Sequence, residues 1–242
     1  MEKIYRRRTE VEFQIYEWLE KYTEEVEQTF GYRIWFLGVQ GSYARGEATP
    51  QSDIDVVLIL DKLLPADLRI YRNMLDGLPY REKICGFISG KEELEHWAKE
   101  DLFQFCCDTL AMKGSLEELF STVKREDINR ALHTGACDIY HAACHNMLHE
   151  RNADIVAELY KSAVFLLQAK FYLETGEYIK KKAELFVKLE GLDREVLYRA
   201  MQMKKQSGRM EEDSDEMTQK LLEWASDIIR REDPAYIDKR FS

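Results

Sequence analysis

The chain has 242 residues and a net charge of −10, so it can form one large domain or two modest ones, and its acidity disfavours an extended nucleic-acid footprint. No apolar run approaches the roughly 20 residues of a membrane span. The basic start, residues 1–8, has no apolar segment behind it as a signal peptide would. We therefore expect a cytoplasmic protein with no membrane partner. Five cysteines without a Cys-x-x-Cys spacing favour reduced thiols.

The N-terminal half predicts a mixed α/β core. A helix begins near residue 8, where apolar residues recur at helical spacing, and Gly31 ends it. Two apolar runs separated by a polar loop then predict strands, and Pro65 stands early in the helix that follows them. The predicted elements are, in order, a helix over 8–30, strands over 33–39 and 54–60, a helix over 65–76, a strand over 81–88 and a helix over 91–99.

The C-terminal half carries helical patterns only. We predict helices over 116–149, 153–175, 180–189, 193–205 and 216–231, with a polar surface loop over 207–215. These segments predict an all-α antiparallel helical bundle, so the expected domains are residues 1–115 and 116–242. The expected fold class is α+β, with a small mixed sheet flanked by helices and followed by the bundle.

The most informative motif is a Gly41-Ser42 turn followed by a second apolar run that begins with Asp53-Ile54-Asp55. Side chains alternate along a strand, so the two aspartates point to one face while Ile54 points to the other. Neighbouring carboxylates repel each other unless a cation lies between them. Mg²⁺ is bound by one or two carboxylates together with substrate phosphates, and small residues let backbone N–H groups approach a phosphate. The motif predicts a metal-assisted phosphate site.

The stretch GSYARGEATPQSDIDVVLIL, over residues 41–60, resembles the nucleotidyltransferase superfamily that includes DNA polymerase beta, kanamycin nucleotidyltransferase and the minimal nucleotidyltransferases. The resemblance implies a polymerase-beta-like domain that transfers a nucleoside monophosphate from an NTP, ATP being the expected one, and releases pyrophosphate. It implies two Mg²⁺ ions held by the catalytic residues Asp53 and Asp55. Gly41 and Ser42 are then expected to bind the β- and γ-phosphates.

Further site residues follow from that resemblance. A third carboxylate is expected either to bind a metal or to take the acceptor proton, with Glu82 preferred because it starts the predicted third strand and Asp108 as the alternative. Ser52 is expected to cap or orient the loop before Asp53. Arg45 is a candidate phosphate ligand, against the interpretation that it is solvated. Lys161 could reach the triphosphate, although charge on a helix is usually solvated.

The helical half resembles HEPN-like domains in its segments 141–150, 159–162 and 176–180. Along the predicted helix over 116–149, histidine and cysteine recur every four residues and form one stripe on the helix surface. Two histidines four residues apart can chelate zinc, but a packed or interface stripe is the preferred interpretation. The stripe consists of His133, Cys137, His141, His145 and His149.

The expected function is AMP transfer to a hydroxyl of a small, aminoglycoside-type acceptor. The acidic balance suits a cationic small molecule better than a nucleic acid. Two alternatives stay open: AMPylation of a protein partner, and a non-catalytic module that binds nucleotides. A homodimer is compatible with the sequence.

Overall fold

The computed structural model describes residues 2–203 and 214–231, with side chains from residue 15 onward. The chain forms two compact units. The first contains the described residues up to Ala98 together with Asp108–Phe120, and the second contains Lys99–Cys107 together with the described residues from Ser121. The boundary expected between residues 115 and 116 stays a prediction.

The first unit is built on a mixed sheet, which has four strands in the described part of the chain, in the order β3-β2-β1-β4. Strand β1 is antiparallel to both β2 and β4, whereas β2 and β3 are parallel and need a crossover helix between them. Helix α3, Pro65–Asp76, supplies that crossover. The strands are β1 Ile34–Val39, β2 Ile54–Leu60, β3 Ile84–Gly90 and β4 Leu110–Lys113.

One face of this sheet packs against α1, Glu2–Phe30, and α3. Alternate β2 residues from Ile54 to Leu60 join the aromatic side chains of both helices in a single core. The hydroxyls of Tyr22 and Tyr71 are hydrogen-bonded to each other at 2.7 Å, so neither is left unsatisfied inside that core. Burial raises the pKa of Tyr71 to about 12. The other sheet face carries the residues that alternate with these.

The remaining helices of the first unit are short, and the described second unit is helical. Helix α7 packs against α8 and α11, and α8 packs against α10. The helices are α2 Gly41–Ala44, α4 Lys91–Glu95, α5 Lys99–Asp108, α6 Glu117–Phe120, α7 Arg125–His145, α8 Ala153–Thr175, α9 Lys182–Lys188, α10 Gly191–Met203 and α11 Ser214–Arg230. A π turn, Asn146–Glu150, follows α7.

The predicted α+β class with a small mixed sheet is confirmed, and three of the predicted elements are corrected. The third strand begins at Ile84, because residues 81–83 form a 3-10 turn. The helix expected over 91–99 ends at Glu95, and a second helix, α5, begins at Lys99. The long helix expected over 116–149 is divided into α6, α7 and the π turn, and β4 was not predicted at all. The polar loop expected over 207–215 lies, up to residue 213, outside the described residues.

Within the described ranges, none of the helices combines the length and the apolarity that crossing a bilayer would require.

Candidate active site

Four strand ends meet at one edge of the sheet. Asp55 on β2 pairs in register with Cys85 on β3. On the other side of Asp55, its carbonyl oxygen accepts a 2.7 Å hydrogen bond from the Gln40 amide. The Gln40 side-chain Nε2 in turn donates to the Thr109 hydroxyl at 2.7 Å. The carboxyl end of β1 therefore lies beside the amino ends of β2, β3 and β4, and the loops at these ends share one edge.

The two aspartates of the motif begin β2 at this edge. Asp53 directly precedes the strand and is exposed, whereas Asp55 is its second residue and is half-buried. Ile54 between them is 3 % exposed and belongs to the core under α1 and α3. Strand alternation therefore turns the Asp55 carboxylate to the opposite face of the sheet, and Asp53 lies two residues before it, just outside the strand. That the two carboxylates bind one metal stays a prediction.

The turn after β1 approaches Asp55 closely. Gly41 has a φ of +68°, and a Cβ atom at this position would lie 1.9 Å from the Asp55 Oδ2 atom. Only glycine adopts this conformation readily and lets the Asp55 carboxylate lie where a side chain would be. Ser42 follows as the second residue of α2 and is half-buried. The Gly-Ser turn and the Asp55 carboxylate are thus in direct proximity.

Arg45 and Asp108, both candidates from the sequence, bind each other. The Arg45 Nη1 atom donates a 2.9 Å hydrogen bond to Asp108 Oδ2, and the two side chains are 14 % and 10 % exposed. The Arg45 Nε atom lies 3.5 Å from a carboxylate oxygen of Glu47. Asp108 is the residue before Thr109, so this ion pair joins the loop after β1 to the start of β4. The interpretation of Arg45 as a solvated loop residue is wrong.

The loop that leads to Asp53 is held in a turn by hydrogen bonds between its own residues. The Ser52 amide donates to the Thr49 carbonyl at 2.9 Å, and the Ser52 hydroxyl accepts from the Thr49 amide at 2.9 Å. Pro50 occupies the second turn position, which its fixed φ favours. The Lys83 ammonium donates to the Pro50 carbonyl at 2.5 Å. Sequence reasoning missed Lys83, which stands in the charged run 81–83 with no distinguishing pattern.

Glu82 does not hold the strand position for which it was chosen. It lies exposed in the 3-10 turn before β3, and the β3 residue in register with Asp55 is Cys85, whose side chain is exposed. Lys161 lies on α8 in the second unit, where its ammonium is 3.2 Å from Glu158. The predicted roles of Glu82 and Lys161, like those of the other site residues, stay predictions.

The donor atoms at this edge suit a hard divalent cation. Among residues 2–203 and 214–231, no group of three or more His, Cys, Asp and Glu side chains is placed to hold a metal ion. Mg²⁺ commonly takes only one or two protein carboxylates and completes its shell with substrate phosphates and water. Asp53 and Asp55 are the candidate pair, and the Gly41 turn lies directly against Asp55.

The comparison with protein families gives the class of the protein. The family model of the nucleotidyltransferase domain matches residues 8–128, half of the chain, so the chain belongs to this family and is a nucleotidyltransferase. Its fold is similar to the crystal structure of spectinomycin adenyltransferase AAD(9) from Enterococcus faecialis with ATP and spectinomycin. That match has a TM-score of 0.58 and 15 % identity, and it covers 87 % of this chain and 99 % of the other. No curated protein sequence matches the chain. The HEPN-like character of the helical half stays a prediction.

Proposed function

We propose that this nucleotidyltransferase moves AMP from ATP to a hydroxyl group of a small, aminoglycoside-type acceptor in the presence of Mg²⁺. The observation that carries the proposal is the Gly41 turn lying against the Asp55 carboxylate, with Asp53 exposed beside it. Carboxylates that hold Mg²⁺ and a small-residue turn that receives phosphate are the two halves of a triphosphate site. Asp55 and the Gly41 turn lie at one edge of the sheet, which supports this proposal.

Each half of the site has its own task in this proposal. Asp53 and Asp55 hold Mg²⁺, which when bound neutralises charge on the phosphate oxygens and orients them. The backbone N–H groups of the Gly41 turn and the Ser42 hydroxyl donate to the β- and γ-phosphates. Ser52 keeps the loop before Asp53 in its closed turn. Arg45 acts through its ion pair with Asp108, which holds the turn in place.

The reaction is an in-line displacement at the α-phosphorus. The acceptor oxygen forms a bond to the α-phosphorus, the bond from that phosphorus to the bridging oxygen breaks, and pyrophosphate leaves with its electron pair. A base takes the proton of the acceptor hydroxyl. Glu82 is exposed on the segment before β3 and can accept this proton, whereas Asp108 is bonded to Arg45. We therefore keep Glu82 as the proposed base.

The acceptor class follows from charge and from the similar fold. A chain with a net charge of −10 favours cationic acceptors. The similar structure, spectinomycin adenyltransferase AAD(9), was crystallised with ATP and spectinomycin, which supports ATP and an acceptor of this type here. AMPylation of a protein partner and nucleotide binding without turnover are the competing functions.

The test measures pyrophosphate release by the full chain with each of the four NTPs, Mg²⁺ and a panel of aminoglycosides and aminocyclitols. Mass spectrometry of the acceptor identifies the transferred group. We expect release with ATP and one subset of acceptors, and loss of that release when EDTA removes the divalent cation. Asp53→Asn and Asp55→Asn should each reduce kcat/KM by about 100-fold or more, since each removes a charge that positions the phosphates.

The control is Asp61→Asn, which removes an exposed carboxylate just after the opposite end of β2. This variant should keep activity close to that of the wild type. Equal losses of kcat/KM in the Asp61 and Asp55 variants would show that the negative charge at the motif has no special role in the reaction. AMP attached to a protein, with no modified small molecule, would favour the protein-directed reaction. ATP binding without turnover across the whole panel would favour the non-catalytic module.

A further inference from the structure

The last three histidines of the stripe in the second unit have exposed side chains. His141, His145 and His149 all present exposed side chains, while Ile139 and Ala143 on the same helix are buried. These three side chains are therefore not packed within the chain, and the interpretation of the stripe as an interface stays a prediction. Three imidazoles in a row on an exposed helix surface are potential metal ligands.

The geometry selects one pair from the three residues. The ring centroids of His145 and His149 are 4.8 Å apart, whereas those of His141 and His145 are 6.5 Å apart. A zinc–nitrogen bond of about 2.0–2.1 Å places each ring centre about 3.2 Å from the ion, so two imidazoles at a right or tetrahedral angle have centres about 4.5–5.2 Å apart. Only the His145–His149 separation lies within this range.

The backbone that carries the pair is held in place. His145 ends α7, and His149 lies in the π turn Asn146–Glu150, a rare local structure that occurs frequently at functional sites. Asn146 is 2 % exposed, and its side chain makes two hydrogen bonds with the Asn152 backbone, at 3.2 Å to the carbonyl and 3.0 Å from the amide. Asn152 caps α8. The turn is thus fastened to the next helix, so little ordering is needed when a ligand binds.

We propose that His145 and His149 chelate a divalent transition metal ion, of the class of Zn²⁺, Ni²⁺ and Cu²⁺, on the surface of the second unit. Imidazole nitrogen suits these ions, whereas Mg²⁺ requires oxygen ligands. Two protein ligands leave the remaining coordination positions to water or to another donor, so the site is open and exchangeable. The site is independent of the proposed nucleotidyl transfer, since it uses different residues and a different metal class.

Isothermal titration of the untagged full chain with ZnSO₄, in several millimolar MgCl₂, tests the proposal. Excess Mg²⁺ competes for the oxygen donors of Asp53 and Asp55, so the remaining Zn²⁺ binding reports nitrogen or thiolate ligands, and the histidine variants distinguish between these. We expect one site whose Kd rises by more than about tenfold in His145→Ala and in His149→Ala, since even the loss of outer-shell partners costs 10–100-fold. His149→Gln, which keeps a polar side chain of similar size, should lose binding to the same extent.

The matched controls are His141→Ala and His133→Ala, on the same helix, which should leave the Zn²⁺ affinity within about twofold. Circular dichroism of each variant verifies that the helices are intact. Unchanged affinity in the His145 and His149 variants overturns the proposal, as does a wild-type chain that binds no Zn²⁺ at millimolar concentration. An equal loss of Zn²⁺ affinity in His141→Ala also overturns the proposal of a two-histidine site, because it would require three histidines. None of these results depends on enzymatic activity.

Discussion

Replacing Gly41 by alanine tests whether the turn after β1 must lie against the Asp55 carboxylate. The added Cβ atom would be 1.9 Å from Asp55 Oδ2, and real Cβ atoms essentially never approach other heavy atoms within 3.0 Å. The turn and the carboxylate must therefore separate by about 1.1 Å. A misplacement of about 1 Å in a catalytic site can cost on the order of 100-fold in rate. We expect Gly41→Ala to lower kcat/KM for nucleotidyl transfer by about this factor.

The substitution also costs stability, because Gly41 has a φ of +68°. An alanine in the left-handed region costs about 1–2 kcal/mol. In a protein of this size, each kcal/mol lowers the melting temperature by roughly 2–4 °C. A loss of activity could then be mistaken for partial unfolding, so a control with the same backbone strain is required.

Gly46 provides that control in the same loop. Its φ is also +68°, but a Cβ atom there would meet nothing within 4 Å. Gly46→Ala should therefore lower the melting temperature by a similar amount and keep activity within a few-fold of the wild type. Thermal unfolding by circular dichroism and initial rates at 25 °C give the two quantities for each variant. ATP titration by calorimetry shows whether the Gly41 variant loses nucleotide affinity as well.

Equal losses of activity in the two alanine variants would contradict this prediction, because backbone strain alone would then explain the effect. So would a folded Gly41→Ala variant that retains kcat/KM within a few-fold of Gly46→Ala. The close contact with Asp55 would in that case have no part in the reaction.

Two further predictions concern ion pairs of the first unit. Arg45→Ala should reduce the free energy of unfolding by about 3 kcal/mol, because it leaves the buried Asp108 carboxylate without this guanidinium. Adding Asp108→Asn should recover part of the loss in urea unfolding, and a double variant that is no more stable than Arg45→Ala would contradict the argument. The second pair is Asp67 with Arg33, whose guanidinium donates to both carboxylate oxygens at 2.9 and 2.8 Å and holds the pKa of Asp67 below its ordinary value of 3.8. Since the folded-state pKa is lowered, this stabilisation is present above about pH 4 and is lost as the pH falls through that folded-state value. Asp67→Asn should therefore cost about 2 kcal/mol at pH 7 and show a weaker loss of stability between about pH 5 and 2. If the stability of the wild type and of the variant changed in parallel over that pH range, this prediction would be contradicted.

The motif and its strand could be predicted because both depend on local patterns. The apolar run after Asp53 gave β2 its bounds, and Pro65 marked the start of α3. Strand β4 was missed because it has four residues, of which Leu110 and Ala111 are exposed, and it shows no alternation. Such a short strand forms only because β1 offers it a partner, which a single sequence does not reveal.

The partners of the site residues could not be predicted, because they depend on register and on contacts distant in sequence. Glu82 was preferred on the assumption that the third strand began before it. The strand begins at Ile84, and the parallel register then places Cys85 beside Asp55. A strand boundary that shifts by a few residues changes which side chain faces the site. The Arg45–Asp108 pair joins residues 63 positions apart, which helical or strand periodicity does not report.

The direction of β1 relative to β2 decides whether the two halves of the motif can act together. Seven residues of β2 at about 3.3 Å each span roughly 23 Å. If the two strands were parallel, the Gly41 turn would leave β1 at one end of this distance and Asp53 would enter β2 at the other. The antiparallel pairing brings both to the same end, with Val39 opposite Val56, and the irregularity in β1 lies at its far end, between Ile34 and Phe36. A one-residue slip near Val39 would turn Asp55 toward the apolar face under α1. The same register that buries Ile54 therefore keeps the Asp55 carboxylate on the face where we propose that a metal and its phosphates bind.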